Sequence, residues 1–264
     1  MKQIELKQLE HNVKIGDVCG HIQPNVTEDS IFMFEGAAVG FYIKDISKHS
    51  ERLAKLIDLA NAEFRSSRVP KSLMTRSSAL NAKRSGDGQG VEQYSTIIGS
   101  IPPKPHMKRP YPSISSVHSV KSAKNFISAM LLIGKECEYL IKELTPEIYD
   151  RQLAIIEKNI PEKWRFGKLF TSSISNYNIS AAFHRDAGTL EGCVNVIIAK
   201  KYRATGGNTT VPDYGATVDS CDNSILVYPA WRNVHGVTPI VLEHADGYRN
   251  SLVFYPLKAF KGLE

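Results

Sequence analysis

Three side chains in the second half of the chain have the types and spacing of a metal site. His184 and Asp186 stand two residues apart, so on an extended strand both side chains leave the same face. His235 follows Asp186 by 49 residues and must therefore come from a different strand. Two imidazoles and one carboxylate on one face of an octahedron are the ligands of non-haem Fe(II) centres, which keep three positions open for a co-substrate and O2. The sequence therefore predicts an iron centre with His184, Asp186 and His235 as metal ligands and catalytic residues.

Arg249 and Ser251 add the groups of an anion site. Arg249 follows His235 by 14 residues, and its planar guanidinium matches the geometry of a carboxylate. Ser251 stands two residues further on, so a strand would place both side chains on one face. The pair predicts a pocket for a carboxylate close to the metal.

Two other chemistries compete for the same residues. Zinc hydrolases also use two histidines and a carboxylate, with a metal-bound water as the nucleophile. Zinc gives no reason for the pair of Arg249 and Ser251, however, and no glutamate stands beside the ligands as a general base. A serine hydrolase is disfavoured because the sequence has no Gly-x-Ser-x-Gly turn. Since His-x-Asp alone is common by chance, the prediction depends on the whole set of residues and on its strand context.

The first half of the chain combines short elements with a long polar segment. Residues 1–64 have the pattern of short strands followed by an amphipathic helix at 46–64, with Ser47 as its cap. Residues 65–116 are rich in Gly, Pro, Ser and basic side chains, with one short strand at 94–98. So long a loop beside a core is usually functional, and the alternative is a linker.

The second half alternates between helical and strand patterns. Residues 118–159 predict two helices, with the break at Thr145 and with Pro146 in the first turn of the second helix. Residues 164–257 contain many short strands separated by turn residues, which is typical of a sandwich or small barrel. We therefore expect one α+β domain over residues 1–264.

The composition is that of a globular protein of the cytoplasm. Hydrophobic residues make up 42% and charged residues 23% of the chain, enough for a sizeable core. No apolar run approaches the ~20 residues of a membrane helix, and the first residues lack the apolar segment of a signal peptide. The four cysteines are widely spaced, as expected for reduced thiols. We expect a cytoplasmic protein that does not enter a membrane, and the sequence indicates no protein partner.

Positive charge is concentrated in residues 65–125. The chain has a formal net charge of +6, but this segment alone has eleven Lys and Arg against two acidic residues, a balance of +9. A positive block suits a polyanion such as nucleic acid, although a solvated surface segment gives the same pattern. The candidate nucleic-acid contacts are Lys83, Arg84, Lys108 and Arg109.

The residues around the first histidine resemble a known family. Residues 171–188, which read TSSISNYNISAAFHRDAG, look like the TET/JBP family of base dioxygenases, in the asparagine before the histidine and the small residue after the aspartate. Residues 222–251 resemble the C-terminal half of the core of Fe(II)/2-oxoglutarate dioxygenases, and residues 95–99 are similar to a stretch in the family's N-terminal half. The core resemblance covers about residues 165–257. Since the long inserts and the cysteine-rich region of animal TET enzymes are missing, the chain looks like a compact bacterial or phage-type member.

This resemblance implies a fold and a set of ligands. The fold would be a double-stranded β-helix of the jelly-roll or cupin type, with flanking helices on one side. His184, Asp186 and His235 would bind Fe(II). Arg249 would pair with the distal carboxylate of 2-oxoglutarate, and Ser251 would add a hydroxyl hydrogen bond.

The resemblance also implies a substrate. Family members use O2 to oxidise the 5-methyl group of 5-methylcytosine or thymine in nucleic acid, and a base in a DNA duplex must be flipped out to reach the iron. Asn178 would contact the co-substrate or the base if the strand before His184 runs straight, or else it closes a turn. Several aromatic side chains are candidates for stacking on a flipped base or for the core: Tyr94, Tyr111, Tyr177, Phe183, Tyr228 and Trp231.

Two alternative functions use the same motifs. The first is a 2-oxoglutarate oxygenase that acts on RNA, a nucleotide, a protein or a small metabolite, which the iron site cannot distinguish from a DNA enzyme. The second is a non-catalytic nucleic-acid-binding module. The complete ligand set disfavours the second function, because a binding module has no use for Arg249 in a carboxylate pocket.

Overall fold

Three α-helices lie in the described part of the chain. The computed structural model describes residues 1–73 and 92–263. The helices are α1 (Glu51–Arg65), α2 (Lys124–Leu144) and α3 (Pro146–Asn159). Each buries an apolar stripe, because its apolar residues recur every three or four positions.

Sixteen strands accompany these helices in the described residues. They are β1 (Lys2–Glu5), β2 (Ser30–Phe34), β3 (Ala37–Ile43), β4 (Ser72–Leu73), β5 (Tyr94–Ile101), β6 (Ser113–Ile114), β7 (Ser172–Tyr177), β8 (Ala181–His184), β9 (Asn195–Tyr202), β10 (Ala204–Gly206), β11 (Thr209–Val211), β12 (Ala216–Val218), β13 (Ser224–Tyr228), β14 (His235–Val237), β15 (Ile240–Leu242) and β16 (Tyr248–Tyr255).

The strands form a large sheet and a small sheet. The major sheet has the order β1-β2-β3-β13-β9-β16-β7-β5-β4, with β6 paired to β5. The minor sheet has the order β12-β11-β14-β8, and β10 pairs with β15. All pairings are antiparallel except that of β1 with β2. This mixed architecture, with its double-stranded β-helix core, confirms the predicted α+β fold.

Alternation along the central strands separates a helix-covered face from a cavity face. On β16, Leu252 and Phe254 belong to the main hydrophobic core, which also contains Ile57 of α1 and Phe126 and Ile133 of α2. The intervening residues of β16 line a cavity between the major and minor sheets instead. The strand period of two therefore assigns each residue to the core or to the cavity.

An extended segment near the N-terminus borders the minor sheet. We call residues 9–26 the strap. Gly16 donates its backbone N–H to the carbonyl oxygen of Phe183 on β8 (2.7 Å), and Phe183 donates in return to Asp17 (3.0 Å). At its other end, Val26 forms a bridge with Val218 of β12. The strap thus pairs with both edge strands of the minor sheet.

Most of the predicted elements are found, with shifted boundaries. The break at Thr145 and the start of α3 at Pro146 are confirmed. The predicted helix at 46–64 instead begins with a 3-10 turn, and α1 starts at Glu51 because Ser50, not Ser47, accepts the capping hydrogen bond. The short strand predicted inside the basic loop is longer than expected and belongs to the major sheet, between β7 and β4.

The described helices were compared with the length and hydropathy of a membrane-spanning helix. Their lengths and hydropathy give no segment that could cross a bilayer.

Candidate metal centre

The two predicted histidines meet across a strand pair. His184 ends β8 and His235 begins β14, and the register places them directly opposite each other, with ring centroids 4.3 Å apart. Asp186 follows β8, and its Oδ1 lies 3.5 Å from Nε2 of His184. One ligand atom from each residue falls within 4.8 Å of the others, so the three side chains could hold a metal ion. Among the described residues no other group of this kind is found.

A hydrogen bond orients each of these three side chains. Nδ1 of His184 donates to the carbonyl oxygen of Ala182 (2.8 Å), and Nδ1 of His235 donates to that of Asn233 (3.1 Å), since a carbonyl can only accept. When the rings are neutral, both Nε2 atoms therefore carry the lone pair that a metal needs. Asn195 donates from Nδ2 to Oδ2 of Asp186 (2.9 Å), which leaves Oδ1 for a metal. Partners of this kind fix the tautomer and orientation of metal-binding side chains.

The charge states of the three residues suit a cation. Burial and the nearby His184 together lower the pKa of His235 to about 4, so its ring is neutral at pH 7. Burial lowers the pKa of His184, but the hydrogen bond to Asp186, the hydrogen bond to Ala182 and the charge of Asp186 together outweigh burial and raise that pKa above its usual value. Burial likewise raises the pKa of Asp186, but the two histidines and Asn195 bring it below the usual value. A metal binds the ionised carboxylate and neutral imidazoles, so metal binding would release any proton that His184 holds beside Asp186.

The three residues lie on the wall of a cavity of about 330 Å³ between the two sheets. Its floor is the apolar side of the major sheet, including Ile174, Ile197 and Val253. Arg249 and Ser251 also line the cavity, as their shared face on β16 predicted. The structure therefore brings the predicted metal ligands and the predicted carboxylate-binding pair into a single cavity.

Arg249 is a buried cation without an ion-pair partner among the described residues. Its guanidinium donates to the carbonyl oxygen of Gly207 (2.9 Å) and to Oγ of Ser220 (3.0 Å), while its buried Nε–H has no partner in the described part of the chain. None of the ion pairs in residues 1–73 and 92–263 includes it. Burial lowers the pKa of Arg249 to about 10. A buried guanidinium that lines a cavity and has no ion-pair partner among the described residues is a candidate site for an anion.

Lys201 is a second cation beside this pocket that the sequence did not reveal. It is paired with Arg249 in the register of β9 and β16, so both side chains leave the same face. Its Nζ donates to the carbonyl oxygen of Gly206 (2.7 Å). Burial, together with the charge of Arg249, lowers the pKa of Lys201 to about 8. Only the strand pairing distinguishes it from its neighbour Lys200, which pairs with Asp58 and Asp222.

The structure corrects the expectation for Asn178. The strand does not run straight, because β7 ends at Tyr177 and Asn178 has φ 53°, in the left-handed region. Its Oδ1 accepts from the backbone N–H of Arg249 (2.8 Å), and it does not line the cavity. Asn178 therefore closes the turn and fixes the main chain of Arg249. Asn176, two residues earlier, lines the cavity instead and donates to Oγ of Ser251 (3.4 Å).

The predicted nucleic-acid contacts lie away from the metal cavity or outside the described residues. Lys108 and Arg109 are exposed in a tight loop, where Lys104 and Arg109 exchange backbone hydrogen bonds. Neither side chain lines the cavity. Lys83 and Arg84 lie outside the described part of the chain.

Of the aromatic candidates, Tyr228 alone lines the metal cavity. Its ring meets His235 edge-on, with centroids 5.4 Å apart. Tyr94 stacks on Tyr177 at 4.4 Å in the sheet, and Phe183 packs in a small buried cluster with Cys19. Burial, with the charge of Asp186, raises the pKa of Tyr228 well above its usual value, so its hydroxyl stays protonated.

Comparison with protein families gives one match that covers more than half of the chain. Residues 104–258 match the Tet_JBP model, which describes the oxygenase domain of the 2OGFeDO superfamily. No curated protein matches the sequence.

Solved structures with a similar fold are numerous. NgTET1 in complex with 5mC DNA has a TM-score of 0.59 at 12% identity, covering 99% of this chain and 84% of that chain. An oxidoreductase of the 2OG-Fe(II) oxygenase family from Burkholderia pseudomallei has a TM-score of 0.44 at 14% identity, covering 84% and 86%. A full-length Neurospora crassa protein in complex with alpha-KG has a TM-score of 0.42 at 12% identity, covering 82% and 74%. At these identities the likeness to NgTET1 shows a common fold.

Proposed function

The chain belongs to the Tet_JBP family, the oxygenase domain of the 2OGFeDO superfamily, and from this membership we propose that it hydroxylates the 5-methyl group of a pyrimidine base in DNA, either 5-methylcytosine or thymine. The enzyme is an Fe(II)- and 2-oxoglutarate-dependent dioxygenase. Bound Fe(II), with 2-oxoglutarate and O2, supplies the oxidising power to hydroxylate an unactivated C–H bond.

The geometry supports a role for each residue. His184, Asp186 and His235 would hold the metal, since their free Nε2 and Oδ1 atoms converge and their other polar atoms are already bonded. Arg249 would bind the distal carboxylate of 2-oxoglutarate, with Ser251 on the same face. The observation that carries this assignment is the buried guanidinium of Arg249, whose Nε–H has no acceptor among the described residues and could donate to a bound carboxylate.

Two features support DNA as the substrate. The first is the fold shared with NgTET1, whose solved complex contains 5mC DNA. The second is the basic segment at 65–125, which would contact phosphates. Because His235 is only 3% exposed, a base in a duplex would have to flip out to reach the metal, which costs a few kcal/mol. Phosphate contacts would offset that cost.

The test uses DNA that contains both 5-methylcytosine and thymine. The DNA is incubated with enzyme, Fe(II), 2-oxoglutarate and ascorbate, digested to nucleosides and analysed by mass spectrometry. We expect one added oxygen atom on one of the two nucleosides, with an equal amount of succinate. The control is His184→Ala, which should bind DNA but release no succinate.

Two outcomes would count against the proposal. Unchanged bases, with succinate release supported by RNA, protein or a metabolite instead, would move the substrate to that class. Unchanged turnover in His184→Ala would overturn the assignment of the metal site.

A further inference from the structure

The hydroxyl of Tyr228 is a buried hydrogen-bond donor without a partner among the described residues. Tyr228 is 6% exposed, and its Oη is fully enclosed. The residue ends β13 and lines the metal cavity, with its ring edge-on against His235. A phenylalanine would fill the same space without burying an unpaired polar group, which is unfavourable. A ligand bound in the cavity would supply the partner that the described residues do not.

The surroundings of Tyr228 place that ligand at the metal end of the cavity. Tyr228 is paired with Asn195 in the register of β13 and β9, so both side chains leave the same face. Asn195 is the residue that holds Oδ2 of Asp186. The Tyr228 side chain thus lies on the same face of the major sheet as Asn195, with its ring edge-on against His235.

The rest of the cavity explains what this ligand must be. The cavity has the metal cluster and Arg249 in its lining together with the apolar side chains of its floor, Ile174, Ile197 and Val253. A molecule with a charged group at each end and methylene groups in the middle matches this pattern. Arg249 takes the distal charge, and the metal-bound end needs a donor of its own.

We propose that the Tyr228 hydroxyl donates a hydrogen bond to an oxygen of the metal-bound end of 2-oxoglutarate. This assignment rests on the proposed metal site, but it is independent of the DNA substrate. It makes Tyr228 a co-substrate-binding residue at the end of the molecule opposite to Arg249. Removal of the hydroxyl should therefore weaken the binding of any ligand that has the same metal-bound (oxalyl) end, whether or not that ligand has a distal carboxylate.

The experiment measures binding without turnover. Mn(II)-loaded enzyme is titrated by calorimetry, in the absence of O2 and DNA, with 2-oxoglutarate and separately with oxalate, which has the metal-binding end alone. Tyr228→Phe should weaken both ligands by the same factor, about tenfold, as expected for a lost hydrogen bond to a charged group. Arg249→Met should weaken 2-oxoglutarate only. The affinity for Mn(II) alone should stay within about twofold of wild type in Tyr228→Phe.

Tyr42→Phe is the matched control, because it also removes a buried tyrosine hydroxyl. That hydroxyl contacts Sγ of Cys221 (3.8 Å), and Tyr42 does not line the metal cavity. Its affinity for oxalate should equal that of wild type. The thermal midpoint of ligand-free Tyr228→Phe should match or exceed that of wild type, since an unpaired hydroxyl is removed.

Three results would overturn the inference. Unchanged affinity for oxalate in Tyr228→Phe would show that the hydroxyl does not touch the metal-bound end. If Tyr228→Phe weakens Mn(II) binding by the same factor as oxalate binding, the role of Tyr228 is to hold His235 in place instead. A lowered thermal midpoint in ligand-free Tyr228→Phe would show that the hydroxyl has a structural partner. The titrations contain no DNA. If the enzyme does not oxidise a base in DNA, the conclusions from the titrations are therefore unaffected.

Discussion

At the scale of single residues, the candidate metal site consists of side chains whose second polar atom is already bonded. His184 and His235 each donate to a carbonyl oxygen, and Asp186 accepts from Asn195. The free atoms of all three therefore point to one place. Such partners are part of a metal site, because they fix the orientation of the ligands before the metal binds.

Replacement of Asn195 tests this arrangement. Asn195→Ala should weaken metal binding about 10- to 100-fold, because Asp186 loses the hydrogen bond that holds its Oδ2. The measurement is a calorimetric titration with Mn(II). Asn159→Ala is the control, since that side chain donates to Ile155 within α3 and should leave the affinity unchanged. Equal metal affinity in the two variants would contradict the orienting role of Asn195.

Lys201 predicts a pH dependence for co-substrate binding. Its pKa is lowered to about 8 by burial and by Arg249, so it is charged below pH 8 and neutral above. Bound 2-oxoglutarate, a dianion, is attracted to the charged form of Lys201 and should raise its pKa. The affinity for 2-oxoglutarate should therefore be higher below pH 8 and fall as the pH rises through 8. The fall should reach about tenfold for each unit by which binding raises the pKa of Lys201. Titrations with 2-oxoglutarate between pH 7 and 9 measure this.

Lys201→Met gives the control for that titration. The variant should bind 2-oxoglutarate more weakly at pH 7 and show no change up to pH 9. A flat profile in the wild-type enzyme would mean that Lys201 does not sense the bound anion.

At the scale of the elements, strand pairing brings together what the sequence separates. Alternation along β16 predicted that Arg249 and Ser251 share a face, because this depends only on the strand period. The same parity argument failed for Asn178, because a turn with a positive φ interrupts the strand before His184. Lys201 could not be found at all, since its position depends on which strand lies beside β16.

The main chain at Gly207 lies directly against the guanidinium of Arg249, so a side chain at this position would displace it. It has φ 69°, and a Cβ there would lie 2.8 Å from Nε of Arg249. Gly207→Ala should therefore weaken 2-oxoglutarate binding about 10- to 100-fold by displacing the guanidinium, with Mn(II) affinity unchanged. Gly16→Ala is the matched control, because Gly16 has φ 95° with open space around its Cβ position. If both variants bind 2-oxoglutarate equally, the contact with Arg249 has no effect.

The strap reaches the metal site through Asp213. This carboxylate accepts from His11 of the strap (2.7 Å) and from Nδ2 of Asn233 (2.7 Å), whose carbonyl oxygen holds His235. Asp213→Ala leaves the Asn233 amide buried and unpaired, so it should lower the free energy of unfolding by about 1–3 kcal/mol and weaken Mn(II) binding. Denaturant unfolding and Mn(II) titration measure the two effects.

Asp246→Ala is the comparison for that variant. Asp246 also pairs with a histidine, His244, but both side chains are exposed, and we expect little change in stability. An Asp213→Ala protein as stable as Asp246→Ala would rule out a supporting role for the strap.

At the scale of the whole molecule, the sequence predicted the chemistry more completely than the architecture. The spacing of the ligands, Arg249 and the strand patterns led to the oxygenase family and its fold. The position of β5 within the major sheet and the strap along the minor sheet were not predicted, because both depend on pairing between residues distant in the chain. The basic segment was identified by composition alone, and its role stays a prediction.

Lys108 and Arg109 test that role. Replacement of both by glutamine removes two exposed positive charges, so it should weaken DNA binding and reduce its salt dependence. Since neither side chain lines the cavity, the affinity for 2-oxoglutarate should stay unchanged. Lys158→Gln, at an exposed position of α3 outside the basic segment, is the control. Fluorescence anisotropy with labelled DNA at several salt concentrations gives the slope. A slope identical to that of wild type would remove these residues from the DNA contact.

The central claim is that one metal and one 2-oxoglutarate occupy this cavity with the assigned ligands. A crystal structure with Mn(II) and 2-oxoglutarate, with the metal located by its anomalous scattering, tests it most directly. We predict one metal at about 2.0–2.3 Å from Nε2 of His184, Oδ1 of Asp186 and Nε2 of His235, with the distal carboxylate on Arg249. A metal held by other residues, or a co-substrate whose distal carboxylate lies away from Arg249, would contradict the account.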